Sequence, residues 1–362
     1  MELWQRAARA SRNAHLWLPG YLATRWRRRN ESAPRRVWVT ITDHYEPLWK
    51  RPGDAVAAGR VAAWRREWPR IAARHRDTSG RAPQYCFFYP EEEYRRELVE
   101  PLAEMTRAGI GDVEVHLHHD NDTAAAFRER VTRFVEALHG NHGLLRRGAG
   151  RLTFGFIHGN WALDNARPDG RWCGIDNEIS LLRELGCYAD FTMPAAPDPS
   201  QAGPVNVIFR VTDDPARPRS HARGAIVGPG TAAVGDLTLV AGPLVIAPGG
   251  GRLKPRLDTG ELSAHSRTSE QRTGRWLRVA PRIGTDAFLK LFAHGAQEDN
   301  AAALLGGDLD RLFESLKHLC GGMGAELRYV TAWEMWQVVE ALREGRPPLG
   351  EVVTNQAWAA AT

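Results

Sequence analysis

The sequence predicts an α/β fold built as a closed or nearly closed barrel of seven strands, and three observations lead there. Seven short β-branched or aromatic runs alternate with stretches of helical period, the signature of a largely parallel sheet. No GxGxxG turn follows the first run, which argues against an open dinucleotide-binding sheet. Polar residues gather where the runs end, and the C-terminal ends of barrel strands share one rim.

The runs, in order, are RVWVTIT (36–42), QYCFFYP (84–90), DVEVHLH (112–118), RLTFGFI (151–157), YADFTM (188–193), DAFLKLF (286–292) and ELRYVT (326–331). Between them, Tyr94, Leu98, Leu102 and Met105 recur at a helical period, and Gly109 is placed to end that helix. Ile179, Leu182 and Leu185 repeat the pattern before Gly186, and Thr331 suits the N-cap of a last helix. Residues 200–282 break the rhythm: they are rich in Gly, Pro and Arg and hold two further β-like runs, VNVIFRV and DLTLVAGPLVI. They are expected to form an inserted β-rich, antiparallel flap near the site. The expected organisation is thus a basic, aromatic arm (1–36), the barrel (37–345) and a short tail (346–362).

With 43% hydrophobic and 25% charged residues, the 362-residue chain has enough apolar material for a large core. Its net charge of +5 is small but unevenly spread, since RWRRRNESAPRR (25–36) is strongly basic. That run reads as a solvated arm, with weak contact to an anionic surface as the sharper alternative. The four cysteines show no CxxC or CxH spacing, so neither a disulfide framework nor a thiolate zinc motif is expected, and they read as core filler. The first residues carry Arg, His and Pro among their apolar positions and resemble neither a signal peptide nor a membrane span. A cytoplasmic, at most membrane-peripheral, location is the expectation.

The strand ends carry the chemistry. TDHYEP offers Asp43, His44 and Glu46; HLHHDND offers His116, His118, His119 and Asp122; HGNWALDN offers Asn160 and Trp161; later runs add Asp190 and His294. Along the third run Val113, Val115 and Leu117 share one face, so Glu114, His116 and His118 point the other way. Asp43, His118 and Asp122 together would make a hard-to-borderline site for one divalent ion, Zn²⁺ first, with Mn²⁺, Co²⁺ or Ni²⁺ as alternatives. His44, His116 and His119 are alternate ligands. Asp43 or Glu46 is a candidate base, His294 a candidate acid oriented by Asp190, and Asn160 and Trp161 candidate substrate contacts.

In their order these motifs resemble the polysaccharide deacetylase (NodB homology) family of metal-dependent carbohydrate esterases, over roughly residues 37–330. TITDHYEP stands where that family has its aspartate motif, HLHHDND where it has its histidine pair, YADFTMP and KLFAHG where it has its later motifs. The resemblance implies a deformed seven-stranded β/α barrel and deacetylation of an N-acetylated sugar or glycan intermediate in surface polysaccharide metabolism. Thr42 stands where the family's other aspartate would be, and the family's arginine motif is missing. Those departures keep a second reading open, a catalytically inactive glycan-binding scaffold on the same barrel. A specific nucleic-acid partner is not expected, and the sequence leaves the oligomeric state open.

Overall fold

The computed structural model describes residues 11–148, 150–249 and 255–348. One large sheet dominates it, with strands β1 (Arg36–His44), β2 (Tyr85–Pro90), β3 (Gly111–Leu117), β4 (Arg146–Gly148), β5 (Arg151–His158), β6 (Cys187–Asp190), β7 (Val207–Val211), β8 (Ala225–Ile226) and β9 (Leu237–Ala241). A separate antiparallel pair, β10 (Val245–Ala247) and β11 (Arg256–Asp258), follows. β12 (Glu261–Leu262), β13 (Arg282–Ile283), β14 (Asp286–Ala293) and β15 (Glu326–Tyr329) return to the large sheet. Its order is β12-β14-β1-β2-β3-β5-β6-β9-β7-β8. The stretch from β14 to β9 is parallel throughout, and β7 and β8 continue it antiparallel.

Two expectations change here. β7 and β9, from the two runs assigned to a flap, belong to the large sheet, and only β10 and β11 form a pair of their own. The reason is hydrophobic: Ile208, Phe209, Val211, Leu237, Leu239 and Val240 are all buried, which a flap over solvent would not allow. Conversely, β15 is not a link in the continuous run. It pairs with Arg36–Val39 of β1, while β2 pairs with Thr42–His44, so β1 changes neighbours halfway along. The ladder among described residues is an open path rather than a hydrogen-bonded ring. Its flanks nevertheless meet: Lys290 of β14 donates from Nζ to the carbonyls of Phe191 and Met193, just past β6. The sheet therefore curls, and a buried ammonium spans its inside.

Helices α1 (Ala14–Arg27), α2 (Asp54–Arg74), α3 (Arg96–Arg107), α4 (Ala124–His142), α5 (Glu178–Leu185), α6 (Glu270–Val279), α7 (Glu298–Ala303), α8 (Leu309–Gly322) and α9 (Ala332–Arg343) complete the fold. Strand alternation divides the core between them. Val37, Val39 and Ile41, with Tyr85, Phe87, Val113 and Val115, face outward against helix residues such as Trp64, Trp68, Leu102 and Phe134. Trp38, Cys86, Phe88, Ile157 and Tyr188 face inward, where Trp333, Val338 and Val339 of α9 fill the space. A capping box between Thr331 and Glu334 starts α9. Because α9 occupies the inner face near the start of the strands, the opposite, C-terminal end is left for polar groups.

A buried charge network seals the α9 end. Arg146 donates to Asp112 at 2.6 Å and to Glu114 at 2.8 Å, and Glu114 also accepts from Tyr188 and the Gly155 backbone. Arg146→Leu should cost roughly 3–5 kcal/mol, because two buried carboxylates lose their counter-charge. Urea unfolding followed by circular dichroism measures this; a cost under about 1 kcal/mol would mean the carboxylates find other partners or protons.

α1 packs on the body through Trp17 and Tyr21, against Ala196, Val205 and Leu244. Of the basic run, Arg28 bonds to the Val279 and Ala280 carbonyls and Arg36 pairs with Asp286, whereas Arg25 and Arg29 are exposed. Part of the arm is thus structural. Among the described residues no helix is long and apolar enough to cross a membrane.

Candidate metal centre

At the C-terminal end of β1 and β3, alternation turns His44 and His116 to the inner face beside Thr42, Phe88 and Glu114. Glu46 follows on the next turn. Ligand atoms of His44, Glu46 and His116 all lie within 4.8 Å of one another, and all three residues are buried. Around them the imidazoles form a row, with ring centroids 4.8 Å apart for His294 and His44, 4.9 Å for His44 and His116, and 4.7 Å for His116 and His118. Carboxylates close both ends: His118 Nδ1 is bound by Glu92, and His294 Nδ1 lies 3.6 Å from Glu261.

The proton bookkeeping of this row favours a cation. A carbonyl oxygen can only accept, so the 3.0 Å contact of His116 Nδ1 with Ile157 O requires the proton on Nδ1. In neutral His116 the Nε2 lone pair then faces Glu46 Oε1 at 3.3 Å. His118 Nε2 approaches the same oxygen at 3.4 Å, again with its Nδ1 on an acceptor. Lone pairs converging on a carboxylate need protons or a metal ion between them. A ring N–H held by a carbonyl or carboxylate is also the usual support of a metal-bound histidine. His44 adds a buried Nδ1 with no hydrogen-bond partner.

Charge states agree with that reading at His44 and Glu46, whereas His118 is held protonated. Burial, reinforced by His294 and His116, holds His44 well below its ordinary pKa, leaving the neutral, ligating form. Burial alone would raise Glu46, but the bonds from His116 and His118 hold it well below the usual carboxylate range. For His118 burial works against the charged form, yet Glu46 and Glu92 push its pKa up to about 10. Two imidazoles and one carboxylate at an open rim suit a borderline divalent ion such as Zn²⁺.

The row opens on a cleft of about 710 Å³ whose walls include Trp161, Phe292, His294, Glu261, Asn13 and Asp198. Trp161 sits in a tight turn after β5, at a φ of 57°, with its ring 6.4 Å from that of His44. Asn160 lies in the same turn but does not line the cleft; its backbone N–H donates to His158 Nδ1.

Other expected site residues are placed differently. Asp43 shares the outward face of Ile41, where its carboxylate accepts from Tyr85 and from the Gly295 backbone, each at 2.8 Å, and burial raises its pKa to about 6. It is therefore a buried anchor of the loop that carries His294 and belongs to neither ligand group. Asp122 sits by His119 and Arg130, so Asp43, His118 and Asp122 do not converge as a set. Asp190 accepts from the backbone and hydroxyl of Thr192, and Glu261 takes the place beside His294 that Asp190 was expected to hold.

A second group went unread in the sequence. His119, His158, Cys173 and Glu178 also have ligand atoms within 4.8 Å of one another, all buried. His158 follows Phe154 and Phe156 onto the outward face, so this group lies across the sheet from the first. The Cys173 and Glu178 pair in CGIDNE, close after a strand ending in histidine, was the available signal.

No protein-family model matches this sequence, and no curated protein matches it.

Proposed function

We propose that this chain is a metal-dependent hydrolase that removes the acyl group of an N-acylated sugar or related glycan intermediate, on a curled sheet of the polysaccharide deacetylase type. The observation that carries the proposal is the buried His44, Glu46 and His116 group at the strand ends, where the His44 ring lies 6.4 Å from Trp161 and 4.8 Å from His294, two walls of the cleft. A divalent ion held there supplies polarisation of a carbonyl oxygen and acidification of a water. His294, set by Glu261, is placed to give a proton to a departing amine, while His118, kept protonated between Glu46 and Glu92, adds positive charge beside the ligand group. Trp161 offers a flat apolar face to a sugar ring. The volume of the cleft falls in the range of small-molecule sites.

A release assay for acetate tests this, using N-acetylated mono- and oligosaccharides with chelator-treated protein before and after addition of Zn²⁺, Mn²⁺, Co²⁺ or Ni²⁺. Metal-restored acetate release is the expected outcome. Saturable sugar binding without release, in metal-loaded protein, would favour the scaffold reading. That reading draws on Asp43, whose carboxylate is spent on Tyr85 and Gly295.

A further inference from the structure

We infer that His119, His158, Cys173 and Glu178 form a second, closed metal site, of a chemistry that selects zinc, and that it is structural. This inference stands apart from the hydrolase reading. The four side chains come from three separate segments: the turn after β3, the end of β5, and the loop leading into α5. All four are buried, with no open position for substrate. A thiolate, two imidazoles and a carboxylate complete a tetrahedral set, as in closed structural zinc sites.

Individual contacts point the same way. His119 Nε2 lies 3.1 Å from Glu178 Oε1, while its buried Nδ1 has no hydrogen-bond partner and Asp122 Oδ2 stands 3.4 Å away. Cys173 Sγ accepts the Asn165 N–H at 3.2 Å and, as a thiol, faces two acceptors for its one proton, Glu178 Oε2 at 3.4 Å and Ile175 O at 3.6 Å. Glu178 Oε2 also accepts the Asp164 N–H at 2.6 Å. His158 is fully buried, and its Nε2 points towards Glu178 Oε1 at 4.0 Å with no hydrogen-bond partner. With metal on Nε2, the His158 ring proton moves to Nδ1 and the 3.3 Å bond from the Asn160 N–H gives way, as do the protons between Glu178 and both His119 and Cys173. Cys173 loses its thiol proton to solvent as the ion binds.

The site's position explains its use. His119 adjoins His118, and His158 begins the turn that presents Trp161, so an ion here would pin two walls of the first centre from behind the sheet.

Protein produced in cobalt-supplemented medium, without a histidine tag, gives the direct test. A thiolate-to-cobalt charge-transfer band is expected in the parent and in His116→Ala, and is expected to vanish in Cys173→Ser. Zinc-grown parent should carry two equivalents, and each variant one. The parent's band decides even if Cys173→Ser fails to fold, because Cys173 is the only cysteine in a ligand group among the described residues. No band in the parent, or unchanged metal content in a folded Cys173→Ser, would overturn the inference. Because His116→Ala keeps the band, failure here and failure of the hydrolase reading are separable.

Discussion

His116→Ala is expected to remove the ion of the open centre and to abolish hydrolysis in the same step. The imidazole is wholly buried, its Nδ1 is fixed by Ile157 O, and its Nε2 faces Glu46. Losing the ion forfeits several kcal/mol of charge stabilisation, a fall in kcat/KM on the order of 10³-fold or more. Elemental analysis alongside the acetate assay reads both effects, with circular dichroism to establish that the variant folds. Asp43→Asn is the informative control. Since Asp43 bonds to Tyr85 and Gly295 rather than to the ligand group, it should keep its metal. Full metal content in His116→Ala, or metal loss in Asp43→Asn, would assign the ligands the other way round.

The second large effect concerns His294. His294→Gln should retain the ion yet lower kcat by roughly 10²- to 10⁴-fold, the usual worth of a positioned acid or base. Its ring stacks beside His44 at 4.8 Å and lines the cleft, but it is not one of the three mutual ligands. Glu261→Gln should reproduce part of that loss, because Glu261 faces Nδ1 of His294. Asp190→Asn should not act through His294. A His294→Gln protein with unchanged kcat, or one stripped of metal, would remove the acid assignment.

Much of the strand framework was legible, because parallel strands buried on both faces read as continuous apolar runs bounded by turns. RVWVTIT and DVEVHLH announce β1 and β3 in this way, within a residue or two of their ends. The rim of polar groups was legible for the same reason: His44, Glu46, His116 and His294 all follow such runs. What went unread was facing. Alternation applied to DVEVHLH correctly turns Glu114 and His116 inward. Applied equally to RVWVTITDH, it puts His44 on the face of Thr40 and Thr42 and sends Asp43 outward with Ile41. The aspartate motif of the family resemblance drew attention to Asp43, whereas the residue grouped with Glu46 and His116 is its neighbour His44.

Long-range placements were not available from local pattern at all. Glu92 and Glu261 lie outside the local stretch of the histidines they hold, and the pairing of β2 with β3 and of β12 with β14 brings them there. The closed cluster is similar, since His119 and Glu178 are separated by 59 residues. Likewise VNVIFRV and DLTLVAGPLVI signal strands, but nothing local says that they extend the main sheet.

Anomalous X-ray scattering at the zinc edge, from crystals of zinc-grown protein, tests the metal centre most directly. A peak bounded by His44, Glu46 and His116 is expected, separate from any density at Cys173. Zinc-bearing crystals with no peak between those three side chains would contradict the assignment of this rim as a metal centre.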